Sequence, residues 1–343
     1  MVRTKKNPAQ KVSIDDVARL AGVSVTTVSR VINKFSSVKE DNRRRVLEVV
    51  KKLNFKPSIL AQRLASGKTD VIALVVPRYE GIFYSYYDLE ILRGIGILCE
   101  GLKLDLLLHL TDSKTPFSLS GVGGVIFADI IGNRKQLETS LSEKVPCVVI
   151  NNYVEDLEVS CIAVDNLKGS IEAVNYLLNL GHRKIAHITG DLVTQAASQR
   201  LEGYKFALQK KGIELREDYI VKTDYSRGQA RQAAQTLLGL PEPPSAVFVA
   251  SDSMALEVMA VASEQGKKIP RELSIVGFDD NPSGLYGPVA LTTVKQPLFK
   301  MAEEAVRQLG LIMSGKEKSA KKTVLPTELV IRESCQPPDS SRS

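Results

Sequence analysis

The chain has no tryptophan, only three histidines and only four cysteines in 343 residues. Cys99, Cys147, Cys161 and Cys335 are far apart and form no Cys-x-x-Cys pair, so spacing gives neither a zinc site nor a disulfide framework. Three of them sit in or beside apolar runs and read as small core residues in a reducing compartment. His109, His182 and His187 have no nucleophile or metal ligand at diagnostic spacing, so no catalytic or metal-binding residue is named and no cofactor is expected. No apolar run approaches the roughly 18–20 residues that cross a bilayer. Residues 1–11 are basic and polar with no apolar stretch behind them, so no secretory signal is read and the cytoplasm is the expected location.

Acidic charge is also scarce, but only at one end. Residues 1–69 carry 16 Lys/Arg against 5 Asp/Glu, a balance of +11, while the remainder carries 30 against 34, a balance of −4. A basic head on a slightly acidic body predicts a polyanion as partner of the head alone. The length exceeds one ordinary domain.

Residues 1–11 are expected to be a disordered basic tail. Ser13 and Asp16 have the spacing of a capping box, and Ile14, Val17, Ala18 and Ala21 then share one helical face. Gly22 breaks that helix. Ser24 caps a second, with Val28, Val31 and Ile32 apolar, and Ser37 with Glu40 signals a third along Val46, Val49, Val50 and Leu53. Pro57 interrupts, and Ser58 opens a short fourth helix ended by Gly67, marginal by itself because nucleation outweighs so few bonds.

From Asp70 onward apolar strands alternate with amphipathic helices. Strands are expected at 71–76, 105–110, 122–128, 147–151, 161–164, 184–189, 219–223, 246–251 and 274–278. Helices are expected at 88–101, 133–142, 167–180, 196–211, 226–239, 253–265 and 297–313. This alternation means doubly wound parallel sheets, and so many strands fit two lobes better than one sheet. Ligands of such folds bind beyond the carboxyl ends of the strands, here in a cleft between lobes.

The run from Ser13 to Asn33, with Val17-Ala18-Arg19-Leu20-Ala21-Gly22-Val23-Ser24 followed by Val25-Thr26-Thr27-Val28-Ser29-Arg30-Val31-Ile32-Asn33, resembles the head of the lactose-repressor/galactose-repressor family. The resemblance implies that the second helix enters the DNA major groove. Val25, Thr26 and Arg30 then read base edges, and Ser24, Thr27, Ser29 and Asn33 serve the same DNA surface, largely at the backbone. Lys56-Pro57-Ser58-Ile59-Leu60-Ala61-Gln62-Arg63-Leu64-Ala65 is similar to the family's hinge helix, which orders on the operator. There Ala61 lies along the minor groove and Leu64 wedges into the central base step.

Arg200-Leu201-Glu202-Gly203-Tyr204, Val276-Gly277-Phe278-Asp279-Asp280 and Leu291-Thr292-Thr293-Val294 extend the resemblance over nearly the whole chain. It implies a small all-α helix-turn-helix head (12–56), a hinge (57–69) and an α/β two-lobed periplasmic-binding-protein-like body (70–335). The first lobe takes about 70–163 and 292–324, the second 164–291 and 325–335, and 336–343 is a disordered tail. The implied effector contacts are Phe83, Tyr84, Asn151, Arg200, Tyr225, Ser251 and Asp279. Carboxylate, amide and guanidinium groups bind hydroxyls in pairs, and an aromatic face covers a sugar ring.

Two features depart from the family. Residues 111–121 are too short and too rich in Ser and Pro for the usual helix after the second strand. The first crossover is unusually aromatic, with Tyr79, Phe83, Tyr84, Tyr86 and Tyr87.

The expected function is a sequence-specific DNA-binding transcription regulator, a repressor. A homodimer binds pseudo-palindromic double-stranded operator DNA, and a small ligand, a sugar by class, controls it allosterically. No membrane partner is expected. An enzyme is the first rival. Ser66-Gly67-Lys68-Thr69 imitates the end of a phosphate loop, but Gln62 stands where that loop needs Gly. A sugar-binding transport component is the second, opposed by the basic head and the missing signal.

Overall fold

The computed structural model describes residues 12–32, 37–55, 70–79, 82–112, 114 and 118–339. Two compact units divide the chain at Asp70/Val71. In the first, α1 (Ile14–Ala21), α2 (Val25–Ile32) and α3 (Glu40–Lys52) enclose Val17, Ala18, Ala21, Val28, Val31 and Val46. The capping box forms: Asp16 N donates to Ser13 Oγ (3.2 Å), and Ser13 N to Asp16 Oδ2 (3.1 Å). Gly22 then turns the chain in the left-handed region (φ 62°), and its N–H reaches the carbonyls of Ala18 and Arg19. The expected Ser37/Glu40 cap does not form. Lys39 occupies the N-cap of α3 with no side-chain bond, and the acidic Glu40 and Asp41 in the first turn complement the helix dipole instead.

The second unit is built on two six-stranded sheets. The first has the order β11-β5-β4-β3-β1-β2: Lys322–Leu325, Ser160–Val164, Cys147–Ile150, Gly124–Phe127, Val71–Pro77 and Asp105–Thr111, all parallel. The second has the order β12-β10-β9-β8-β6-β7: Glu328–Val330, Thr292–Lys295, Ser274–Asp279, Ala246–Val249, Ile185–Ile188 and Ile220–Val221. Among the described residues only β12 runs antiparallel to its neighbour.

Alternate residues of each buried strand supply the two faces. In the first sheet Leu74, Ile126, Val148 and Ile162 pack under α4 (Tyr86–Leu102) and α10 (Leu298–Met313). Val75, Val125, Phe127 and Val149 pack on the other side, against Leu137 of α5 (Arg134–Ser142). In the second sheet α6 (Asn166–Asn179) and α7 (Gln195–Lys210) cover one face. The other lies under α8 (Arg227–Leu238) and α9 (Asp252–Glu264).

Three expectations are corrected. Strand β10 pairs with β9 in the second sheet, so the chain returns to the first lobe after Gln296 rather than at 292. Strands β10, β11 and β12 are short, carry no apolar run and were not expected. Residues 336–339 are docked, not loose: His182 Nε2 lies 2.9 Å from Gln336 O, and Gln336 N donates to Ser274 Oγ. As the shortened connection implied, no helix occurs between β2 and β3 among the described residues. Leu119 and Val122 pack there instead, leaving Leu107 of β2 44% exposed.

Candidate DNA interface and ligand cleft

On α2 the buried arc is Val28 and Val31, which fixes the opposite arc outward. Val25 is 40% exposed, and Thr26 and Arg30 are exposed beside it. Ser24 opens the helix by accepting from Thr27 N (3.2 Å), and its hydroxyl meets that of Thr27 at 2.9 Å. Ser29 is half-buried on the same turn. One short helix and its cap thus offer an apolar tip, the hydroxyls of Ser24, Thr26 and Thr27 and a guanidinium on a single surface. Asn33, Ala61, Leu64, the hinge 57–69 and the tail 1–11 lie outside the described residues.

In the body, the carboxyl ends of the strands converge polar groups, as expected for doubly wound sheets. Arg200 on α7 is 3% exposed. Its Nε donates to Asn166 Oδ1 (2.9 Å), one nitrogen donates to Ala250 O (2.6 Å), and the guanidinium stacks 3.7 Å over Phe278. Asp279, at the end of β9 with φ 129°, accepts from Gln296 Nε2 at 2.7 Å. Burial holds its carboxyl above the usual range against the pull of Arg200. Asp252 lies behind it, accepting from Thr293 Oγ1 (2.6 Å) and Asn281 N (2.7 Å), and burial with the Asp279 charge raises it as well.

Across the cleft, Asn151 closes β4 with φ 69° and donates to Asp129 Oδ2 at 2.9 Å. Desolvation pushes Asp129 up to about 6. Tyr225 also has positive φ (69°). Burial raises its hydroxyl, which senses Arg200, Asp279 and Asp129 together. A Cβ at Gly190 would stand 2.0 Å from its ring, so only glycine admits Tyr225 there. Positive φ at Asn151, Tyr225, Asp279 and Asp280 concentrates backbone strain on this one region.

Of the expected effector residues, Asn151, Arg200, Tyr225 and Asp279 therefore come together. Ser251 is nearby but engaged, capping α9 through Met254 N. Phe83 and Tyr84 do not join them. They occupy a single 3-10 turn, 58% and 88% exposed, and Phe83 faces Leu89, Leu108 and Leu110. The aromatics of that crossover that do reach the cleft are Tyr79, Tyr86 and Tyr87. Tyr79 donates to Asp88, Tyr87 donates to Ala128 O, and burial beside Glu90, Asp280 and Asp279 pushes Tyr86 up to about 12. Asp129 and Gln296 were not anticipated. Each stands within two residues of a strand's carboxyl end, and position alone was the signal.

The described residues contain no cluster of three or more metal-ligating side chains. His182 bonds Ser245, Ser274 and Gln336 O at the amino ends of β8 and β9, far from the chemistry of the cleft.

A helix-turn-helix head whose exposed helix face carries hydrogen-bonding side chains, joined to a two-lobed binding body, defines a ligand-controlled DNA-binding regulator. The model for bacterial regulatory proteins of the lacI family matches residues 13–58, and that for the periplasmic binding protein-like domain matches 174–335. The chain is 34% identical to the HTH-type transcriptional regulator DegA of Bacillus subtilis (strain 168), over 95% of this chain and 99% of that one. It is 32% identical to catabolite control protein A of Priestia megaterium, covering 94% and 99%. Among solved structures it is similar to the lac repressor dimer bound to operator and the anti-inducer ONPF (TM-score 0.79, 25% identity, 95% and 100% covered). It is also similar to the transcriptional regulator CelR–cellobiose complex (TM-score 0.71, 29% identity, 94% and 99% covered). The chain belongs to the lacI family of bacterial regulatory proteins. It is a transcription regulator and not an enzyme.

Proposed function

We propose that this regulator is a cytoplasmic repressor that binds a pseudo-palindromic operator as a homodimer and takes a sugar in its cleft. The observation that carries the ligand class is the meeting of Arg200, stacked on Phe278, with Asp279, Asn151 and Tyr225 at the strand ends. Paired hydroxyls suit such carboxylate, amide and guanidinium groups, and the tyrosine ring suits the apolar side of a pyranose. The relatives agree in kind: one solved complex holds cellobiose, and another pairs a repressor dimer with operator.

At the DNA, Val25, Thr26 and Arg30 read bases, while Ser24, Thr27, Ser29 and Asn33 set the register on the backbone. The hinge at 57–69 carries Ala61 along the minor groove and Leu64 as wedge. Ligand binding shifts the population of lobe arrangements and so permits or forbids hinge pairing.

The test is fluorescence anisotropy on operator DNA selected from random sequence, at several salt concentrations. Specific binding falls steeply with salt. Arg30→Ala weakens it by about 1–3 kcal/mol and relaxes the preference at one base pair per half-site. Salt-insensitive binding, or an Arg30→Ala variant with unchanged sequence preference, overturns the assignment. A thermal-shift screen of mono- and disaccharides against wild type and Arg200→Ala tests the cleft, because a ligand stabilises the state it binds. Arg200→Ala abolishes the stabilisation that wild type shows.

A further inference from the structure

The polar groups of the cleft are unbalanced toward acceptors. Four carboxyls converge there, Asp88, Asp129, Asp252 and Asp279, and burial raises all four. Among the described residues, the hydrogen bonds that reach them come from neutral groups: Tyr79, Asn151, Ile130 N, Thr293, Asn281 N and Gln296. The single guanidinium set against them, Arg200, already spends donors on Asn166 and Ala250.

A second observation concerns two amides. Asn151 of the first lobe is 8% exposed and donates its Nδ2 to Asp129; its Oδ1 is buried without a partner. Gln296, where the second lobe ends, is 5% exposed and donates its Nε2 to Asp279; its Oε1 is likewise buried without a partner. The same device thus occurs once on each side: a carboxylate holds an amide by its N–H, which turns the amide oxygen into an unmet acceptor. The carboxylate fixes that orientation, since two bare oxygens repel. A buried acceptor without a donor keeps the full cost of its desolvation, so the site is complete only with a ligand rich in donors.

A hydroxyl brings two acceptor lone pairs with each donor, whereas an ammonium brings three donors, no acceptor and a positive charge. We infer that the effector is a sugar bearing a protonated primary amine, seated between Asp129/Asn151 and Asp279/Gln296. This rests on the sugar reading of the cleft and narrows it. An anionic sugar, a uronate or a phosphate ester, is repelled by the Asp129 and Asp279 carboxylates that hold the two amides.

The experiment is calorimetric titration of the full-length protein at pH 7.5 with D-glucosamine, D-galactosamine and D-mannosamine, each beside its N-acetyl form and its parent hexose. Glucuronate and glucose 6-phosphate are the anionic arm. At least one amino sugar is expected to bind tenfold or more tightly than both its parent and its N-acetyl form. The anions give no heat. Asp129→Asn is expected to erase that preference while circular dichroism reports an unchanged fold. A second variant, Asn151→Leu, removes the unmet oxygen on the same side and lowers amine affinity in the same direction. A parent hexose that equals or exceeds its amino form overturns the amine inference and leaves the sugar reading standing. Binding of no sugar in any form, by wild-type protein that still binds its operator, overturns both.

Discussion

His187 is fully buried in the second lobe, with its ring stacked on Tyr204 (5.2 Å) and Phe248 (4.8 Å) and its Nδ1 2.9 Å from Phe248 O. Desolvation depresses it to about 4, and the nearby Arg200 adds to that. A base with a depressed folded pKa stabilises the fold fully above its unfolded value near 6.5, and loses that contribution as pH falls through 4. The amount at stake is about 3 kcal/mol. The raised carboxyls of the cleft act with the opposite sign, so the comparison needs a variant. His187→Phe keeps the stack and removes the titration. Its urea midpoint, relative to wild type, is expected to rise as pH falls from 6.5 to 4. A constant difference across that range would show that His187 does not titrate there. At this scale the sequence named the chemistry but not the neighbours. Arg200 and Asp279 were legible through family landmarks. Asp129 was not, because its place just after β3 marks it only as one of several strand-end residues and not as a partner of Asn151.

The head illustrates what an element inherits from its own residues. Ser13 and Gly22 bracket α1, and both behave as their types dictate. A Cβ at Gly22 would meet only Arg45, at 3.6 Å, so space is not the obstacle to a larger residue; φ is. Gly22→Ala is expected to destabilise the head by about 1–2 kcal/mol, the penalty of a left-handed alanine. Ser13→Ala loses about 1 kcal/mol with the cap. Denaturant melts followed by operator binding measure both, and a Gly22→Ala head as stable as wild type would refute the left-handed turn. For α3 the local signal misled: Ser37 and Glu40 have capping spacing, yet Lys39 takes the cap. The helices of the body fall within about two residues of their expected ends, because amphipathic period and capping coincide. Strands β10, β11 and β12 escaped: β10 opens on two threonines although it is buried, and the edge strands β11 and β12 bury little and show no apolar run.

Across the body the two lobes are held partly by one side chain. Gln195, the first residue of α7, accepts from Tyr153 N (2.6 Å) and donates to Tyr153 O (3.2 Å), tying the second lobe to the loop after β4. Two part-buried hydrogen bonds are worth about 1–2 kcal/mol together. Gln195→Ala is therefore expected to lower the ligand-free melting temperature by roughly 2–4 °C, the scale for a domain of this size. Scanning fluorimetry reads it, and an unchanged midpoint would mean that the bond does not hold the lobes together. Charge divides at the same scale, +11 on residues 1–69 and −4 on the rest. DNA contact and ligand contact thus make separate electrostatic demands on one chain.

The sequence by itself determined the class of the protein: the capped helices of the head, the alternation of buried strands and helices, and the polyanion-seeking charge are all local or additive properties. Only the tertiary structure decided the cleft. Which polar groups meet there depends on residues from several strand ends of both sheets, and no local pattern encodes that meeting. It replaced Phe83 and Tyr84 with Tyr79, Tyr86 and Tyr87, and it added Asp129 and Gln296. It also added β10, a strand absent from the expected set, to the second sheet, where pairing with β9 and β12 satisfies its backbone groups.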